Sequence, residues 1–209
     1  MANKGFLDAI EVILKNEGGF VNHPADRGGA TNWGITKKVY EQYKGRPVTI
    51  EEIKNMPRWE AIEIYKKNYW DAIAGDKIKY YATALTLFDQ AVNRGVSTVI
   101  RQAQQVLGLI PDGKIGTQTL AALNAMPDTK FVPLFLAAAE NSYKTIVQRN
   151  PSQSVFLKGW LKRVEHLRNQ TAKFFGELNT AQKVGLGVGL IAILGIIGYL
   201  IYQSMQKRK

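Results

Sequence analysis

The stretch Glu17-Gly18-Gly19-Phe20-Val21-Asn22-His23-Pro24-Ala25-Asp26-Arg27-Gly28-Gly29-Ala30-Thr31-Asn32-Trp33-Gly34-Ile35-Thr36 decides how this 209-residue chain is read. Before it, Phe6, Ile10, Ile13 and Leu14 recur at helical spacing and predict an amphipathic helix that ends at Gly18-Gly19. Within it, Pro24, Asp26, Gly28, Gly29 and Gly34 are turn formers and predict a small β-hairpin or looped β-region. Glu17 therefore sits at a helix C-terminus, where unpaired carbonyls disfavour a carboxylate and raise its pKa. A carboxylic acid that keeps its proton near neutral pH can donate it to a leaving oxygen. Asp26 lies in a polar, glycine-rich loop beside Arg27 and is expected to stay ionised. Two carboxyl groups with opposed environments are the usual equipment for glycoside hydrolysis. A plainer reading of the same residues, a solvated helix end followed by an ordinary turn, carries more weight while the residues stand alone.

Outward from this stretch the patterning is helical. Helices are expected around 37–43, 50–55, 58–70, 82–93, 98–107, 116–125, 131–149 and 155–175, separated by Pro47, Pro57, Gly75, Gly95 and a turn at Asp112-Gly113. The body is mainly α, with one small β-region near its front. No repeat of solenoid length is visible.

Composition narrows the chemistry. Cysteine is absent, which removes thiol proteases, thiol amidases and cysteine-ligated metals. His23 and His166 are the only histidines and form no helical pair, so no zinc site, and no cofactor, is expected. The glycines are followed by no Lys-Ser/Thr, so they are not a phosphate loop. Net charge is +11, of which Lys183, Lys207, Arg208 and Lys209 supply four. The remaining excess suits an anionic partner. Nucleic acid ranks last, for want of a basic block or a binding motif. Phe6 to Leu14 is interrupted by Asp8 and Glu11 and is not expected to act as a signal peptide.

The tail differs in kind. The 19 residues from Val184 to Tyr202 carry no charge. At about 1.5 Å per residue they reach roughly 28 Å, which predicts a C-terminal transmembrane helix. An inner-membrane location with a single-pass anchor is therefore expected. The flanking positive charges balance and leave its orientation open.

The motifs Glu17-Gly18-Gly19-Phe20-Val21-Asn22, Asp26-Arg27-Gly28-Gly29-Ala30-Thr31 and Gly34-Ile35-Thr36 resemble those of the phage and bacterial muramidases of glycoside hydrolase family 108. The resemblance implies a lysozyme-like helical fold, making the fold class mainly α (α+β) with a small hairpin. It also implies cleavage of the β-1,4 bond between N-acetylmuramic acid and N-acetylglucosamine, with Glu17 as the catalytic acid of a phage endolysin. A looser similarity to phage lysozymes with a Glu–Asp–Thr triad suggests Asp26 as the second carboxylate. In that pattern five residues separate Asp from Thr, whereas here four lie between Asp26 and Thr31. The water-positioning role thus falls to Thr31, to Asn32 or to neither.

The similarity continues through Leu87–Gly95, Gln104–Gly108, Asp112–Leu120 and Gly159–Val164, which look like the peptidoglycan-binding region that follows such enzymes. The expected layout is a catalytic lobe at 1–80 and a helical peptidoglycan-binding region at 81–178, packed as one body, then the membrane segment at 184–202. Asn22, Trp33, Tyr69, Trp70 and Asn93 are the candidate substrate contacts, the aromatic rings because their faces suit the apolar side of a sugar. Trp59 and Trp160 are expected in the core. Peptidoglycan is the expected partner, the inner membrane a second, and a helper holin a third; oligomeric state is left open. Two rival readings remain: a lytic transglycosylase acting on the same bond, and a non-catalytic wall-binding protein.

Overall fold

A computed structural model describes residues 2–16, 18–22 and 29–175. Helix α1 covers Ala2–Asn16 and stops where the Gly18-Gly19 pair was expected to stop it. Its Phe6, Ala9, Ile10, Ile13 and Leu14 are all buried, the face anticipated from their spacing. Two short antiparallel strands follow, β1 (Thr31–Asn32) and β2 (Ile35–Thr36), with Thr31 opposite Thr36 and Asn32 opposite Ile35. The turn between them is Trp33-Gly34, both at positive φ (52° and 73°), as a two-residue type I′ hairpin requires.

Three short helices come next. Thr36 caps α2 (Lys37–Lys44) through Val39 N, and Gly45 ends it in the left-handed region at φ 68°. A reciprocal capping box between Thr49 and Glu52 opens α3 (Ile50–Lys54). Helix α4 (Arg58–Tyr65) passes into a π-helical turn at Lys66–Trp70, and a 3-10 turn follows at Gly75–Lys77. Gly75 is obligatory there, because a Cβ would lie 2.4 Å from the Trp70 ring.

Helix α5 (Tyr81–Arg94) is the axis of the body. Its residues from Ala82 to Ala91 are buried without interruption, the mark of a helix covered on every side. Helix α1 and the Lys66–Trp70 turn cover it from one direction, α6 (Val96–Val106) and α8 (Asp128–Arg149) from another. Phe6, Trp70 and Phe88 pack as tilted and edge-on ring pairs at 5.4–6.1 Å. Helix α7 (Thr117–Ala125) lies between α6 and α8 in the chain. A last helix, α9, begins at 154 and runs to 175. Met1–Leu167 form one compact unit and Arg168–Lys209 a second.

Two expectations are corrected. The transmembrane helix, and with it the single-pass anchor in the inner membrane, is not upheld: among the described residues no helix is long and apolar enough to cross a membrane. Charge recurs along the 22-residue α8 at Asp128, Lys130, Glu140, Lys144 and Arg149, so length alone does not make a span. Val184 to Tyr202 lie outside the described residues. Trp59, expected in the core, is 57% exposed.

Candidate active site

Helix α1 delivers the chain to position 17, and Glu17 itself lies outside the described residues, as does Asp26. What the structure defines is the frame around them. Four residues after Glu17, Val21 forms an antiparallel bridge with Thr31: each backbone amide donates to the other's carbonyl, at 2.9 and 2.8 Å. Val21 and Thr31 are therefore paired on either side of the stretch of sequence that contains Asp26. Gly29, at φ 71°, takes the left-handed conformation, and Ala30 enters the core at 1% exposure.

The hairpin is fastened from three directions. The Asn32 amide donates one hydrogen to Ile53 O (3.0 Å) and the other to Lys54 O (2.9 Å), satisfying carbonyls at the end of α3. Trp33 Nε1 donates to Met56 O at 3.2 Å, and the Tyr65 hydroxyl donates to Trp33 O at 3.1 Å. A bulky residue at positive φ is strained, and these bonds on both sides of Trp33 hold it there. Tyr69, half-buried, packs its ring 5.7 Å from that of Tyr65.

Thr31, Trp33 and, through Tyr65, Tyr69 thus belong to one neighbourhood, and Asn22 sits exposed next to Val21. Asn32 has both amide hydrogens committed to α3. Thr31 is half-buried, and its hydroxyl makes no hydrogen bond among the described residues. Trp70 goes elsewhere: it is 1% exposed, wedged against Phe6 and Phe88, with Nε1 donating to Asp76 at 2.8 Å. It has no ring face open to a sugar. Asn93, exposed near the end of α5, lines a different cavity of about 350 Å³ with Trp160, Lys162, Arg163 and His166. Trp160 is half-buried, stacked between Tyr143 and Phe156 at 5.0 and 5.9 Å.

Two structural residues escaped the sequence reading. Tyr65, buried at 1%, holds the Trp33 carbonyl; its four-residue spacing from Tyr69 was the available signal. Gln104, buried at 2%, organises the Asp112-Gly113 turn. Its Nε2 donates to Asp112 Oδ1 (2.7 Å), Lys114 O (3.0 Å) and Thr119 Oγ1 (3.1 Å), while Oε1 accepts from Gly113 N (2.9 Å). The Asp-Gly-x-x-Gly-x-x-Thr motif is accounted for by this turn and the start of α7. The hydrogen bonds that Asp112 accepts from the Lys114 backbone amide and from Gln104 lower its pKa.

Comparison with known proteins adds two matched regions. The model for glycosyl hydrolase 108 matches residues 10–95, which span α1, the hairpin and α5. A predicted peptidoglycan domain matches residues 98–165, from α6 into α9. Among solved structures, SagA of Brucella abortus is similar at 32% sequence identity, with a TM-score of 0.72, over 82% of this chain and 96% of that one. No curated protein matches.

Proposed function

Since the chain belongs to the glycosyl hydrolase 108 family and is a glycoside hydrolase acting on peptidoglycan, we propose that it is an N-acetylmuramidase of the endolysin kind, with Glu17 as its general acid. It cuts the β-1,4 bond between N-acetylmuramic acid and N-acetylglucosamine and so opens the host wall at lysis. The reading is carried by one relationship. Glu17 is the first residue past α1, and four residues on, Val21 pairs with Thr31, the two residues standing on either side of Asp26 in sequence. Four residues span at most about 14 Å, so the helix end and the Val21–Thr31 pair are held close together.

In this scheme the α1 terminus keeps Glu17 protonated until it gives its proton to the leaving oxygen. Asp26 is the second carboxylate. Thr31 is the better candidate than Asn32 for holding a water, because its hydroxyl has no hydrogen bond among the described residues while both Asn32 amide hydrogens serve α3. Asn22, Trp33 and Tyr69 are the proposed sugar contacts; Trp70 is withdrawn from that set by its burial.

The test is Glu17→Gln assayed on purified sacculi, with product masses determined. Loss of roughly 10²–10⁴-fold in rate is expected for a lost general acid. Undiminished lysis removes Glu17 from that role. Products ending in a 1,6-anhydro ring would make the enzyme a lytic transglycosylase.

A further inference from the structure

A polar groove of about 390 Å³ runs between α6 and α8, lined mostly by residues of the region matched to the peptidoglycan domain and by Arg94 at the end of α5, which belongs to the glycosyl hydrolase match. Its walls include Arg94, Arg101, Gln105, Asn141, Ser142 and Thr145, and none of its lining residues is acidic. Arg94 is the unusual member. Its Nη2 donates to Ser142 Oγ at 3.0 Å, and its guanidinium carbon lies 5.1 Å from the centre of the Tyr143 ring. Its Nη1 is buried and has no hydrogen-bond partner. No Asp or Glu forms an ion pair with it among the described residues.

A guanidinium taken partly out of water without a counter-charge is costly, and burial lowers its pKa. The nearest buried carboxylate on the same helix, Asp89, is already engaged by Arg163 at 3.1 Å and by Gln90 at 3.3 Å. Arg94 therefore keeps one buried donor without a partner at the wall of the groove, with a second cation, Arg101, exposed on the same groove and uncharged amides and hydroxyls around it. The glycan strands of peptidoglycan offer sugars and amides; its peptide stems offer free carboxylates.

We propose that this groove binds a carboxylate of the peptidoglycan stem peptides, with Arg94 as its principal ligand, so that the enzyme grips the wall through the stems as well as through the glycan. The proposal deepens the peptidoglycan-hydrolase reading and rests on it for the identity of the polymer.

The full chain is titrated with the soluble stem peptide released from sacculi, in its free-acid form and with its carboxyl groups amidated. The free acid is expected to bind, the amidated peptide about tenfold more weakly, and Arg94→Leu to weaken the free acid by a similar factor. Arg101→Ser, at an exposed position, is expected to weaken it less; its melting curve should match that of the unaltered protein, which guards against a folding artefact. Equal affinity for the two peptides, or wild-type affinity in both variants, overturns the assignment. Inorganic phosphate competing as well as the free-acid peptide overturns the stem assignment in favour of a general anion site. Cleavage of stem-free glycan is followed in parallel. Failure there sinks the glycosidase reading while leaving the peptide titration interpretable, and normal cleavage without peptide binding sinks the groove alone.

Discussion

Val21 and Thr31 hold each other by both backbone hydrogen bonds, one on each side of Asp26 in sequence. Val21 is 49% exposed, so its side chain adds little to the core and its amide is the important part. Val21→Pro deletes the bond from its amide to Thr31 O. Stability should fall by about 1 kcal/mol, the usual net worth of one hydrogen bond. Hydrolysis of sacculi should fall by at least about tenfold, because misplacing a reacting group by a fraction of an ångström is expensive. Turbidity loss and a thermal melt read the two effects separately. Full activity in this variant would show that the pairing is dispensable.

Tyr65→Phe removes only the hydroxyl that donates to Trp33 O. The ring, packed edge-on to Phe88 at 6.4 Å, stays in place. A loss of about 1 kcal/mol is expected from the hydrogen bond. If Trp33 contacts the sugar, the same variant should raise KM on soluble glycan oligomers more than it lowers kcat. A change confined to kcat would place Trp33 away from the bound saccharide.

Asn32 should be among the least replaceable residues of the hairpin. It is 5% exposed and satisfies two carbonyls at once. Asn32→Ala removes the donor to Lys54 O, while Ile53 O keeps the Met56 amide at 3.2 Å, at a cost of roughly 1–3 kcal/mol. Asn32→Asp should be worse, since it places a negative charge where two acceptors converge. Denaturant unfolding midpoints test the order Asn, then Ala, then Asp.

These residues also mark where the sequence was legible. The periodicity of Phe6, Ile10, Ile13 and Leu14, and the breakers Pro47, Pro57, Gly75 and Gly95, located the helices, because each reflects a local rule of backbone or burial. Trp33-Gly34 as the hairpin turn was harder to see: an aromatic residue at positive φ is held by Met56 and Tyr65, which lie 23 and 32 positions away. Trp70 looked like a sugar platform because exposure depends on what packs opposite, and Phe6 and Phe88 come from distant helices. Trp59 erred in the other direction for the same reason. The apolar run at 184–202 met a length rule, and it lies outside the described residues. The roles given to Glu17 and Asp26 came from family resemblance, their bare physics left the plainer alternative ahead, and both lie outside the described residues.

Gly113 offers a test of the second matched region. Its φ of 79° lies in the left-handed region, and a Cβ there would sit 2.6 Å from Ser97 Oγ and 3.1 Å from Arg101 Nε. Gly113→Ala thus combines backbone strain with a clash, and about 1–3 kcal/mol of destabilisation is expected. Adding Ser97→Gly to this variant should recover part of the loss by removing the closest atom, while the strain in φ persists. No recovery would mean that the conformation alone sets the cost.

The alkaline limit of stability should be set in part by tyrosines that resist ionisation in the fold. Tyr43 donates to Glu63 at 2.6 Å, and this bond, followed by burial and the Glu63 charge, pushes its pKa up to about 12. Tyr81 is pushed up to about 12 chiefly by burial, with the Asp8 charge adding to it. In the unfolded chain both ionise near 10.0. Below that pH both states carry the proton and their contribution to stability is fully present. Between pH 10 and about 12 the unfolded chain loses protons that the fold retains, so unfolding is favoured and stability falls as pH rises. Denaturant midpoints should therefore show a decline that steepens above pH 10. Tyr81→Phe, which cannot ionise, should flatten it, and titration of tyrosinate absorbance should show slow-titrating groups that normalise on unfolding. A Tyr81→Phe profile as steep as that of the unaltered protein would remove Tyr81 from this account.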